Sequence, residues 1–264
     1  MQAVALHPEV IVARSVKWQT SATFLHHGDE TFLVDSVVYP SELELLPGLL
    51  AQAGWGLSGL LATHGDWDHL LARFAFPEAA LGVAETTAAR LRAEPGDAQR
   101  KLRELDEDDY VRRARPLSLG QVQALPVPGK LDLGDSELEL IPADGHVQDG
   151  MAIWSPAHRV LVAGDYLSPV EIPMLSAPGG SLDAYVATLR RLQPYVEQAD
   201  WIVPGHGEHL DAQRASAILR EDVAYLEALG SGDAAAGAAA LPLARRDRVQ
   251  KQIHAENLAR VAGA

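Results

Sequence analysis

Cysteine is absent from all 264 residues. Disulfides, thiolate-bound zinc and thiol nucleophiles are therefore excluded. Basic residues are scarce: 22 Lys and Arg stand against 36 Asp and Glu, a formal charge of −14 before any metal binds. With no basic stripe to meet phosphates, neither nucleic acid nor anionic membrane is an expected partner. A strongly anionic substrate would be repelled unless the site itself were positive. No apolar run approaches membrane-spanning length. Residues 1–14 lack a basic stretch followed by a long apolar one, so no signal peptide is read there and the cytoplasm is the expected compartment. What is present is ordinary globular composition, 47% hydrophobic and 22% charged, enough for one large α/β domain or two small ones.

Strand and helix patterns alternate along the chain. Glu9-Val10-Ile11-Val12-Ala13, Ala22-Thr23-Phe24-Leu25 and Thr31-Phe32-Leu33-Val34 read as strands, the last ending at Asp35, with Gly28-Asp29 as a hairpin turn. Ser41, with Glu44 three residues on, predicts a capped helix that ends near Gly54. Helical periodicity runs from Glu85 to about Tyr110, broken at Pro95-Gly96, and the proline-rich stretch 112–130 reads as largely loop. Leu138 and Leu140 share one face of a strand over 136–141, and residues 151–154 and 159–162 predict a hairpin. Ser181 caps an amphipathic helix with Leu182, Tyr185, Val186, Leu189 and Leu192 on one face. Trp201-Ile202-Val203 is a short buried strand, and Asp211 caps a helix reaching Leu229. The expected organisation is one body over 1–229, a Gly- and Ala-rich flexible linker over 230–240, and a C-terminal segment, 241–264, whose helix covers roughly 244–262.

The densest chemical signal follows the apolar run Leu60-Leu61-Ala62. There, Thr63-His64-Gly65-Asp66-Trp67-Asp68-His69 places four metal-capable side chains within six residues. Packing carboxylates side by side costs repulsion and desolvation unless a cation offsets them. A divalent metal site is the simplest account. Three later segments repeat the order of strand, glycine, ligand: Gly145-His146, Gly164-Asp165 and Pro204-Gly205-His206-Gly207. Loops at one end of a sheet converge, and glycine permits close backbone approach, so the four segments can build one cluster.

Taken in order, these motifs resemble the signature of the metallo-β-lactamase fold superfamily over roughly residues 10–225. The resemblance implies a four-layer αββα sandwich, here with a helical C-terminal extension, and two divalent metal ions at one edge of the two sheets. Carried over position by position, it implies His64, Asp66 and His146 on one metal, Asp68, His69 and His206 on the other, and Asp165 bridging them. Zinc is the first expectation. Asp66 departs from the histidine usual in the family. Three ligand carboxylates, two divalent ions and a bridging hydroxide then sum to neutrality, where histidine would leave one positive charge. A less positive cluster acidifies its water less, and the harder oxygen donor shifts preference toward iron or manganese.

The reaction implied is hydrolysis of a small ester, thioester or lactone by a metal-bridging hydroxide, with Asp68 orienting the nucleophile and shuttling its proton. Two alternatives stand beside it: a non-haem iron oxidoreductase of the same fold acting on a sulfur compound or dioxygen, and a non-catalytic metal-binding module. A small molecule is the expected partner. Trp67, Tyr166 and Glu171 are candidates for lining the cleft, each against a bland packing or surface role; Asp149 is similar. His209 is a candidate for an outer-shell role, whereas His26-His27 read as strand-end residues without function. Arg245, Arg246, Arg248, Lys251 and His254 give the last helix a basic face that either packs on the acidic body or covers the cleft.

Overall fold

Neighbouring residues of the central strands divide between different cores, and that division sets the architecture. Successive side chains of a strand point to opposite faces. The computed structural model describes residues 1–175 and 179–263. Its first sheet holds seven strands in chain order: β1 (Gln2–His7), β2 (Val10–Arg14), β3 (Ser21–His27), β4 (Glu30–Asp35), β5 (Gly59–Leu61), β6 (Leu81–Ala84) and β7 (Val122–Leu125). Pairing is antiparallel from β1 to β4 and parallel from β4 to β7. Helices α1 (Pro40–Leu43), α2 (Leu46–Ala53), α3 (Ala72–Ala75), α4 (Glu85–Ala93) and α5 (Asp97–Asp108) accompany it.

The second sheet has the order β12-β11-β10-β9-β8. It comprises β8 (Gly129–Leu133), β9 (Ser136–Pro142), β10 (Met151–Ser155), β11 (Val160–Gly164) and β12 (Trp201–Pro204), antiparallel except for the β11–β12 pair. Helices α6 (Leu182–Gln198), α7 (Ala212–Gly230), α8 (Ala234–Ala240) and α9 (Arg248–Ala262) follow.

Leu25, Val34 and Leu61 of the first sheet meet Leu140, Ile153, Val162 and Val203 of the second in an inner core. Their chain neighbours Phe24, Leu33 and Leu60 face outward onto Leu46, Leu102 and Leu105 of the helices. On the far side, Trp154, Leu161 and Ile202 pack against Leu189, Leu192 and Ile218. The result is the four-layer αββα sandwich with C-terminal helices. Each large apolar side chain so buried contributes about 1.5–3 kcal/mol. A one-residue slip in any central strand would exchange its two faces.

Four details differ from the sequence reading. Ser41 does not cap the first helix; Pro40 occupies its first turn, where a missing N–H costs nothing, and the Tyr39 N–H donates to Glu42 Oε2 at 3.1 Å. The stretch 112–130 contains β7 and the start of β8. Both are outermost strands of their sheets, the positions where nearby proline is tolerated. The expected linker contains helix α8, capped by the Asp233 side chain on the N–H groups of Ala235 and Ala236. The alanine run favours helix enough to outweigh Gly237. Finally, β1 escapes a sequence reading because four of its six residues are exposed, so it lacks an apolar face.

Candidate metal centre

All the ligand-bearing segments leave their strands at one rim. β5 runs into Thr63 and His64, β9 leads to His146, β11 to Asp165 and β12 to His206. Backbone hydrogen bonds lock the two sheets together there, the Met151 N–H donating to Thr63 O (2.7 Å) and the Ser21 N–H to Gly205 O (2.8 Å), while the Gly205 N–H donates to Gly164 O (2.7 Å) within the second sheet. Two of the glycines are required by space. A Cβ at 145, where φ is +125°, would collide with the Tyr185 backbone, and one at 205 with the Asp165 carboxylate.

The seven expected ligand side chains meet. His64, Asp66 and His146 each present a donor atom within 4.8 Å of the others, and so do Asp68, His69 and His206. Asp165 lies between the two groups. Its Oδ2 is 3.2 Å from His146 Nε2, 3.4 Å from His206 Nε2 and 3.7 Å from His64 Nε2, and its Oδ1 is 3.2 Å from His69 Nε2. His64 Nε2, His69 Nε2 and Asp165 Oδ1 are buried without a hydrogen-bond partner. An unsatisfied buried polar atom costs about 1–3 kcal/mol. Four imidazoles and three carboxylates converging with such orphaned atoms form the donor set of a divalent cation, and the residues present fit one.

The ligands are aimed from behind. His69 Nδ1 stands 3.1 Å from Asp35 Oδ2. The buried Asp35 carboxylate also accepts from the Thr63 N–H (2.7 Å) and the Thr63 hydroxyl (2.8 Å), just before the ligand motif. Asp35 holds φ +59°, a left-handed conformation that Asp tolerates better than most residues. His206 Nδ1 donates to Trp18 O at 3.2 Å, and the Gly65 N–H donates to Asp149 Oδ2 at 3.0 Å. With Nδ1 of His206 so occupied, its Nε2 is left for a metal.

Arg90, from α4, is the residue the sequence reading missed. Its buried guanidinium donates to Asp66 Oδ1 (2.7 Å) and Asp149 Oδ1 (2.8 Å). Asp66 Oδ2 is left to face His64 Nε2 (3.6 Å) and His146 Nε2 (3.7 Å). The carboxylate that replaces the usual histidine is thus clamped at one oxygen and offers only the other. No sequence spacing links residue 90 to 66 or 149.

Protons balance the cluster when no cation does. Burial would lower His146, yet Asp165 and Asp66 raise it to about 10. Against the same burial penalty, Glu171, Asp165 and Asp68 raise His206 to about 10. Burial would push Asp165 up, but His206, His69 and His64 hold it well below the usual carboxylate range. Metal must displace these protons. Zinc added to metal-free protein at neutral pH is therefore expected to acidify a weakly buffered solution, and its apparent affinity to rise between about pH 6 and pH 9. A pH-stat titration registering no released protons would contradict this pairing.

The remaining candidates separate. Trp67 packs edge-to-face on the exposed Trp18, ring centroids 5.7 Å apart, beside the outer face of the cluster. Tyr166 is buried in the helix-side core, accepting from the His146 N–H at 3.1 Å, and shares the lining of a small cavity with His64, His146 and Asp165. Glu171 is half-buried, and burial together with Asp165 and Asp68 pushes its carboxyl up. Asp149 is a buried brace. His209 lies edge-on to Trp201 at 5.1 Å. The basic residues expected on the last helix are partly internal, and Arg245 and Arg246 precede α9. Arg245 is buried, pairing with Asp222 at 2.7 Å and donating to the backbone O of Glu171 at 2.8 Å. Gln250 and Asn257 accept from the N–H groups of Ile172 and Leu175, so the C-terminal segment pins the loop that follows Asp165.

The sequence profile of the metallo-beta-lactamase superfamily matches residues 16–206, and the chain belongs to that superfamily, whose members are mostly metal-dependent hydrolases. Among solved structures, a metallo-beta-lactamase family protein from Thermus thermophilus is similar at 23% identity and TM-score 0.65, covering 98% of this chain and 96% of that one. A metallo-beta-lactamase from Pontibacter korlensis is similar at 16% identity and TM-score 0.61, covering 83% of this chain and 98% of that one. A double mutant of a sec-alkyl sulfatase aligns at 13% identity and TM-score 0.69, covering 86% of this chain but 42% of its own. Likeness at these identities establishes the fold. No curated protein matches the sequence.

Proposed function

We propose that this protein is a hydrolase with two divalent metal ions, zinc first, acting on a small ester, thioester or lactone. The observation that carries the reading is Asp165 standing between two donor triads, with orphaned buried atoms on both sides of it. His64, Asp66 and His146 would hold one ion, Asp68, His69 and His206 the other, and Asp165 both. When bound, such a pair supplies a nucleophile from water near neutral pH and polarises the scissile oxygen. Asp68, with Oδ2 3.5 Å from His206 Nε2, is placed to orient that nucleophile and to carry its proton to the leaving group. The Trp18–Trp67 pair offers an apolar wall for the substrate. Arg90 and Arg245 are both engaged by carboxylates, which favours an uncharged acyl group over a sulfate or phosphate ester.

His206→Ala is the test. It is expected to lose one metal per chain by elemental analysis, together with turnover on a panel of esters, thioesters and lactones; an undiminished metal count would contradict the ligand assignment. Asp66 supports a second reading, an iron-dependent oxidoreductase, through its hard oxygen donor. Iron in protein purified without added metal, with oxygen uptake on substrate addition, would select that reading. Cytoplasmic residence belongs to the same proposal; among the described residues no helix is long and apolar enough to cross a membrane.

A further inference from the structure

We propose a second metal site at the rim opposite the catalytic centre, where His7, Glu9 and His158 hold a zinc-class divalent ion that ties the two sheets together. β3 enters beside Gly205 and leaves at His27, while β11 begins just after His158 and ends at Asp165. The cluster therefore lies a full strand length from the first, roughly 20 Å at the usual rise per residue. His7 and Glu9 flank the β1–β2 turn, next to an irregularity in register between Ala5 and His7. Such irregularities commonly re-aim a side chain. His158 comes from the β10–β11 turn of the other sheet.

One donor atom from each of His7, Glu9 and His158 lies within 4.8 Å of the other two. The His158 side chain is fully buried, with Nδ1 2.7 Å from Ser155 Oγ and Nε2 3.3 Å from Glu9 Oε2. Ser155 Oγ engages Nδ1, and a cation seated between Nε2 and the Glu9 carboxylate would take the place of the Nε2–H···Oε2 hydrogen bond. The His7 ring stands edge-on to that of His158, centroids 5.2 Å apart. His27 braces the site from outside, Nδ1 3.2 Å from Glu9 Oε2 and Nε2 2.7 Å from Asp135 Oδ1. Two imidazoles and a carboxylate suit zinc and its neighbours over magnesium or calcium.

The test uses the full chain saturated with zinc and freed of excess. His7→Ala and Glu9→Gln, neither in the catalytic centre, are each expected to bind one zinc fewer per chain than the parent by elemental analysis. Their thermal midpoints in zinc should fall by roughly 5 °C. Anomalous diffraction at the zinc edge should show density among His7, Glu9 and His158, and His206→Ala should leave that density in place, which separates this site from the catalytic one. Equal zinc in the parent and both variants, or zinc density confined to the Asp165 centre, would overturn the proposal and leave the cluster a hydrogen-bonded network.

Discussion

Asp68→Ala is expected to lower kcat by roughly 10²- to 10⁴-fold, the range for losing a positioned proton carrier. Its carboxylate lies 3.5 Å from His206 Nε2 and 3.8 Å from His69 Nε2, so alanine removes a metal donor as well as a proton site. Asp68→Asn separates the two roles. The amide keeps an oxygen facing the histidines but cannot accept and release a proton at neutral pH. Steady-state kinetics paired with metal analysis should show Asn close to the parent in metal content and close to Ala in turnover. An Asn variant that turns over like the parent would remove Asp68 from proton transfer.

The second large effect falls on stability. Arg90→Ala is expected to destabilise the fold by about 3–5 kcal/mol, because it strands the buried Asp149 carboxylate without its counter-charge. The guanidinium is 3% exposed and the Asp149 side chain 1%, so water cannot take its place. The measurement is the urea midpoint of metal-free protein, which should fall without a change in the slope. Arg90→Lys should recover only part of the loss, since one ammonium cannot fork between Asp66 and Asp149 as the planar guanidinium does. A midpoint unmoved by alanine would mean that the two carboxylates are not held by Arg90.

The candidate metal ligands were legible because they fall in short, glycine-bearing runs that follow strands, with residue types that make little sense without a cation. The four-layer order came only with the resemblance those motifs carry; the structure bears it out in pairs such as Phe24 and Leu25, or Leu161 and Val162, whose members face two different apolar cores. What stayed hidden was the support behind the ligands. Asp35 reaches Thr63 across 28 residues, and Arg90 reaches Asp149 across 59, distances over which no local period operates. Arg90 sits on a helix whose sequence gives no sign that one arginine turns inward. His27 reads as an idle strand end because its partners Glu9 and Asp135 arrive from other hairpins. The stretch 230–240 misleads for a different reason: its glycines suggest a linker, while the helical preference of the alanines at 234–240 and the Asp233 cap decide the outcome.

Each donor triad draws on both halves of the sandwich. His64 and Asp66 follow the first sheet and His146 the second; Asp68 and His69 follow the first and His206 the second. Neither half owns a complete coordination shell. A chain emerging during synthesis has neither triad of this rim complete until its last strand, β12, has docked. Any ion this rim holds would then be seated last, in an assembled protein, and would not be a seed around which it condenses.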